Sequence, residues 1–212
     1  MASMDESKFD ALLGQLFSGS VDIGFPRDFT ASEAVAFMST LFRQPAKHLE
    51  CFSRAQVSAG LEYLVRPAGS ELPLSLLDAG VPLEEKLICC ARVENIFREI
   101  FSKYCVPAYV HKSETSDAMN IVCFLWWEYF PTFFHMDTRD GRALQEGREG
   151  VMRRILKIDS PACRESVIHG FGHLLEDRPE VAGTVLNQCV TNNALQPELR
   201  KYAESLLAGA RV

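Results

Sequence analysis

The 212-residue sequence has no G-x-x-x-x-G-K-[ST] loop, no G-x-G-x-x-G after a strand-like run and no G-x-S-x-G elbow. Nucleotide hydrolysis and α/β-hydrolase chemistry are therefore without support. No Ser/His/Asp or Cys/His set is placed by sequence, and no catalytic residue is assigned. Long apolar runs are also missing. A membrane span needs about 18 to 20 apolar residues; the longest candidate, residues 121–134, is shorter and carries Glu128. The first nine residues hold two acidic side chains and no apolar h-region, so no secretory leader is expected, and Met4 is an alternative start.

Basic charge is in deficit. Twenty-two Lys and Arg stand against 28 Asp and Glu, a net charge of -6. That weighs against non-specific binding to nucleic acid or anionic membranes, which needs a basic surface. No C-x-x-C pair occurs among the seven cysteines, Cys51, Cys89, Cys90, Cys105, Cys123, Cys163 and Cys189. An odd count, two of them adjacent and most inside apolar helical patterns, fits a reduced cytoplasmic protein whose thiols pack as small hydrophobes. A redox or metal role is the sharper alternative.

What is present is helix. Hydrophobic residues make up 47% and charged residues 24% of the chain, ordinary values for one globular domain, here 1–212. Phe9, Leu12, Leu13, Leu16 and Phe17 form one stripe of a first helix, with residues 1–20 a possible cap on the fold. Thr30 and Glu33 make a capping box for a second helix. Further helices are expected over 53–65, from Pro82 to Tyr104, and over 142–158, with a connector at 19–29 and a loop at 133–141. The run Ile121 to Trp127 is apolar all round, as in a buried central helix, and Ser113 to Ser116 offers its caps. Pro131 ends or bends it.

Pro161, Pro179 and Pro197 are 18 residues apart. Proline suits the first position of a helix, so 160–212 reads as a regular stack of three helices, each roughly 20 Å long. Two periods make a hairpin of about 36 residues, between tetratricopeptide and HEAT or armadillo lengths. The expected fold is all-α: an irregular α-solenoid or superhelix of antiparallel hairpins, with about eight or nine helices.

Three stretches occur together: residues 55–61 (AQVSAGL), 123–131 (CFLWWEYFP) and 163–174 (CRESVIHGFGHL). In this order they resemble a group of uncharacterised bacterial proteins of similar size, over about residues 45–212. That group carries no assigned activity and so implies no catalytic residue or cofactor. The C-terminal part also resembles a HEAT- or armadillo-like α-solenoid, a likeness of fold alone.

Four polar residues stand out. Glu165, His169, His173 and Glu176, spaced by four, four and three, form one row on a helix opposite Phe171. Two imidazoles at i and i+4 suit a metal ion, but H-E-x-x-H is absent and no third ligand is assured. A plain solvated or hydrogen-bonded face, with Glu165 and Glu176 pairing to the histidines, and a polar binding surface are the other readings. Gly170 and Gly172 in the same helix point to close approach of a neighbour. Trp126 and Trp127 point about 100° apart, so either both are core or one serves a rim; Glu128 beside them is a buried carboxylate or a helix-end charge. Arg148, Arg153, Arg154, Lys157 and Arg164 form a basic cluster interrupted by acids.

The function expected from this architecture is protein–protein interaction through a concave helical groove, neutralisation of a toxin partner being one version of it, with no cofactor and no membrane partner. The alternatives are a metal-binding protein or enzyme centred on His169 and His173, and a HEAT-like nucleic-acid binder contacting phosphate through Arg153 or Arg154.

Overall fold

A computed structural model describes residues 4–19, 29–66, 70–130 and 139–210. Most of the connector at 19–29, Pro131 and most of the expected loop at 133–141 lie outside them. Among the described residues there are eleven α-helices and no strand. They are α1 (Glu6–Phe17), α2 (Ala31–Arg43), α3 (Pro45–Leu49), α4 (Arg54–Val65), α5 (Leu83–Ile96), α6 (Ser102–Tyr104), α7 (Ala118–Tyr129), α8 (Arg139–Ile155), α9 (Pro161–Asp177), α10 (Pro179–Thr191) and α11 (Pro197–Leu207). A 3₁₀ segment spans Leu72–Leu77.

The all-α expectation holds, and the helix number differs from eight or nine for two local reasons. Gln44-Pro45 ends α2 and opens the five-residue α3. The helix expected from Pro82 to Tyr104 is interrupted by a π-turn at Phe97–Phe101, which sets off the short α6.

Side chains fix most helix starts. Asp5 caps α1, Thr30 and Glu33 complete a reciprocal box at α2, and Ser53 and Gln56 do the same at α4. At α7 the cap is Asp117, not one of residues 113–116; its carboxylate accepts the Met119 and Asn120 N–H groups at 3.1 and 3.2 Å. Thr115 serves one step further out, its hydroxyl accepting the Asp117 N–H. Ser160 caps α9, and proline occupies the first turn of α9, α10 and α11.

The pairing of helices departs from a linear stack. In a solenoid each repeat touches its sequence neighbours. Here α2 packs on α5, α5 on α8, α4 on α7 and α7 on α9, each pairing passing over intervening helices. Beyond lighter α2/α3 and α8/α9 contacts, α9, α10 and α11 alone stack in chain order among the described helices. The regular three-helix stack thus sits on a helical body wound by other pairings. The N-terminal helix α1 lies on α4, buries its five-residue stripe and presses Phe17 over Gly60, where an added Cβ would stand 2.2 Å from the ring.

The centre is aromatic. Trp126 is fully buried, with Phe42, Phe97, Phe101 and Phe130 around it at ring-centroid separations of 5.5 to 6.2 Å. Trp127 is 3% exposed and stacks on Phe97 at 5.5 Å. Both indoles are core, which corrects the reading of either as a binding surface; α7 is covered by α4 on one side and α9 on the other.

Gly170 permits the α7/α9 contact. A Cβ at that position would lie 2.7 Å from Trp127 Cβ and 2.8 Å from Met152 Cε. The methionine end can swing away; the tryptophan Cβ moves only with α7. Overpacking of this kind costs about 1–3 kcal/mol, while alanine gains about 1 kcal/mol of helix propensity over glycine. Gly170→Ala is therefore expected to lose up to about 2 kcal/mol net, read as a lower urea midpoint at unchanged slope. A gain in stability would show that α7 and α9 are not in tight contact.

Candidate functional site

The row on α9 is enclosed. Glu165 is 1% and His169 4% exposed, His173 is half-buried and only Glu176 is exposed. The row is thus a hydrogen-bonded face and not a solvated one: α7, α10 and α11 close over α9 before its last turn.

Burial divides the row. Glu165 turns to the segment between α6 and α7. Its Oε1 accepts the backbone N–H of His111 at 2.9 Å and lies 2.6 Å from His111 Nδ1. A carboxylate this buried needs such partners. The segment is held by Asn120, which accepts the Val106 N–H and donates to the Val106 and Ala108 carbonyls. Glu114 adds a cap on the Tyr109 N–H. The His111 ring in turn stacks on Tyr202 of α11, with centroids 4.1 Å apart and planes 9° from parallel.

His169 and His173 form the second half. The Tyr202 hydroxyl lies 2.9 Å from His169 Nδ1, and Phe124 of α7 stacks on the same imidazole at 3.9 Å. His169 Nε2 faces His173 Nε2 at 3.2 Å. Glu128, on the last turn of α7, completes a group: one ligand atom from each of Glu128, His169 and His173 lies within 4.8 Å of the other two. Glu128 is exposed, as a helix-end charge should be.

Burial holds the His169 imidazole down to about 3, with the neighbouring His173 and His111 adding to the effect. His173 is also lowered, first by burial and then by Arg148, against the opposing pull of Glu128. The Tyr202 hydroxyl is pushed up by burial and by Glu165. Both imidazoles are thus neutral at pH 7, the state a metal ligand requires. Without an ion, neutral rings fit two arrangements: His169 donates from Nδ1 to the Tyr202 oxygen and accepts at Nε2 from His173 Nε2, or the Tyr202 hydroxyl donates to His169 Nδ1 and His169 Nε2 donates to His173 Nε2. A cation would take the place of that shared hydrogen, with His173 carrying its proton on Nδ1.

Arg148 secures the turn that carries Glu128. It is 8% exposed, donates from Nη2 to the Trp127 carbonyl at 2.6 Å and lies over the Trp127 ring. It thereby satisfies one of the carbonyls left open at the end of α7. The remaining cluster of bases is similarly committed. Arg154 pairs with Glu94, Arg164 with Asp159, and Arg153 lies over the Phe171 ring. Lys157 is exposed, but the arginines around it are paired or packed, so the cluster is not a continuous basic face.

The sequence reading placed His169 and His173 together and noted Glu128, but not their union. It missed His111 and read Tyr202 only as part of an apolar face. Compared with family models, with curated proteins and with solved structures, the chain has no match in any of the three. The resemblance to a bacterial group therefore brings no activity with it.

Proposed function

We propose that the protein binds one divalent transition-metal ion at Glu128, His169 and His173, with a further position open to water on the Glu128 side. The observation that carries this reading is the convergence of the three ligand atoms within 4.8 Å. Two imidazoles and one carboxylate are the donor set of catalytic zinc sites and of facial-triad iron sites. With bonds of about 2.0–2.1 Å, two nitrogens on a tetrahedral ion stand about 3.3 Å apart, close to the 3.2 Å between the Nε2 atoms. The carboxylate supplies charge, and Tyr202 supplies the outer hydrogen bond that orients a ligating histidine.

Such a site can act as a Lewis acid on a bound water. It supports metal binding in preference to the interaction module, which draws on a concave superhelical face; here stacking in chain order is confined mainly to α9–α11. Nucleic-acid binding draws on the basic cluster, whose arginines are paired or packed.

Calorimetry with Zn²⁺ and Fe²⁺ on untagged, chelator-treated protein tests the proposal. One equivalent is expected to bind. His173→Ala should weaken binding by about 100-fold and Tyr202→Phe by about tenfold, as loss of a ligand and of its outer partner do. Stoichiometry below a tenth of an equivalent, or unchanged affinity in His173→Ala, would overturn it.

A further inference from the structure

A surface cavity of about 280 Å³ lies between α11 and the segment that joins α6 to α7. That segment contributes His111 and Lys112 to its lining, and α11 contributes Glu198, Lys201, Tyr202 and Ser205. The cavity is distinct from the group of Glu128, His169 and His173, none of which lines it. Tyr202 stands between the two, with its hydroxyl 2.9 Å from His169 Nδ1 and its ring stacked on His111.

One wall is fixed from behind. Glu165, 1% exposed, accepts the His111 backbone N–H and faces Nδ1 of the same residue at 2.6 Å. A carboxylate only accepts hydrogen bonds. Nδ1 therefore carries the hydrogen, and Nε2 of the neutral ring is an acceptor. Stacking on Tyr202 at 4.1 Å sets the plane of the ring. Among the described residues Nε2 has no hydrogen-bond partner.

The other wall carries uncommitted charge. Glu198 and Lys201 are one turn apart on α11, a spacing at which opposite charges commonly pair. Among the described residues neither has an ion-pair partner. Glu198 is half-buried, so its carboxylate has lost water without a replacement. Lys112, in contrast, is held by Glu114 at 2.6 Å. The Ser205 hydroxyl donates to the Tyr202 carbonyl at 2.7 Å and keeps its lone pairs free to accept. The cavity thus offers three acceptors, on Glu198, His111 and Ser205, and one free cation, Lys201. A simple anion is repelled by Glu198 and a simple cation by Lys201. A molecule carrying both charges turns each repulsion into a contact.

We propose that this cavity binds a small zwitterion, an α-amino acid, with its ammonium on Glu198, His111 Nε2 and Ser205 and its carboxylate on Lys201. An ammonium has three N–H donors, matching the acceptors present. The size agrees: about 280 Å³ falls just short of the ~300–1,000 Å³ of sites that hold drug-sized ligands.

NMR of the full chain, isotope-labelled at histidine and kept in EDTA, tests the proposal. Each common L-amino acid is titrated in turn, and the His111 ring signals, assigned by their loss in His111→Gln, are followed. At least one amino acid is expected to shift them saturably, with one equivalent bound. Its analogues lacking the amine or the carboxylate should bind about tenfold or more weakly, as should the amino acid itself to Glu198→Gln. Lys201 is exposed, so Lys201→Gln should cost about threefold. Unmoved His169 and His173 signals show that the variants fold. No shift with any amino acid at millimolar concentration overturns the proposal. Equal affinity for either single-charge analogue also overturns it and makes the cavity a general anion or cation site. So does unchanged affinity in Glu198→Gln. Should a variant fail to fold, the analogue comparison on the unaltered chain decides alone. EDTA makes these results independent of metal binding.

Discussion

Trp126→Ala is expected to destabilise the protein by about 3–5 kcal/mol, the range for truncating a fully buried large aromatic. Domains of ordinary stability have about 5–15 kcal/mol in total, so this single change removes a large part of it. The cause is local and specific. Trp126 is 0% exposed and its ring meets four phenylalanines drawn from α2, the π-turn and the residue after α7. Truncation leaves a cavity that these rigid rings cannot collapse into without moving two helices. Its indole N–H has no hydrogen-bond partner among the described residues, so the loss is one of packing, and Trp126→Phe should recover most of it. For a chain of this size about 1 kcal/mol corresponds to roughly 2–4 °C, which places the alanine variant at least about 6 °C lower in melting temperature. A loss under about 1 kcal/mol would mean that the aromatic centre is not close-packed.

The second large effect is acid sensitivity above the carboxylate range. His169 has a folded pKa of about 3, below the usual imidazole value. Between those two values the unfolded chain binds a proton that the folded chain does not. Stability therefore rises with pH through this window, is fully present above about pH 6.5 and is lost as pH falls. One such group gives a slope of about 1.4 kcal/mol per pH unit. The lowered His173 and His48 add to it in the same direction. The groups facing His169 are His173 on its own helix, His111, Tyr202 on α11, and Phe124 and the Glu128 carboxylate on α7. Acids such as Glu33, Glu94 and Asp117 have lowered pKa values and stay ionised in both states above about pH 5. The slope between pH 5 and 6.5 is thus a histidine slope. Urea titrations of metal-free protein across that range should show it, and His169→Asn should reduce it by about one proton. An unchanged slope in the variant would show that His169 is not held neutral by the fold.

Much of the helical framework was legible because its signals are local. Thr30 with Glu33, the apolar stripe of α1 and the three spaced prolines each speak for their own turn of chain. The π-turn at Phe97–Phe101 was not, since its sequence reads as continuous helix. The site was half legible. Spacing alone placed His169 one turn before His173. The same wheel set Glu165 away from the apolar stripe, on a face left open between solvent and hydrogen bonding. What decides between them is distant in sequence: His111 lies 54 residues before Glu165, and Tyr202 lies 33 after His169. No periodicity within α9 can report partners supplied by another helix and a loop. Glu128 was visible only as a charge beside two tryptophans.

The enclosure of α9 by α7, α8, α10 and α11 also sets which motions the site can make. Backbone amides in a segment gripped on every side exchange with solvent only when the whole domain opens, whereas terminal and loosely packed segments exchange through local fraying. His169 lies on this enclosed helix, where slow exchange is expected, and Glu128 on a helix end. The histidine pair is therefore a fixed wall, and any ion or small molecule must be admitted by movement on the carboxylate side.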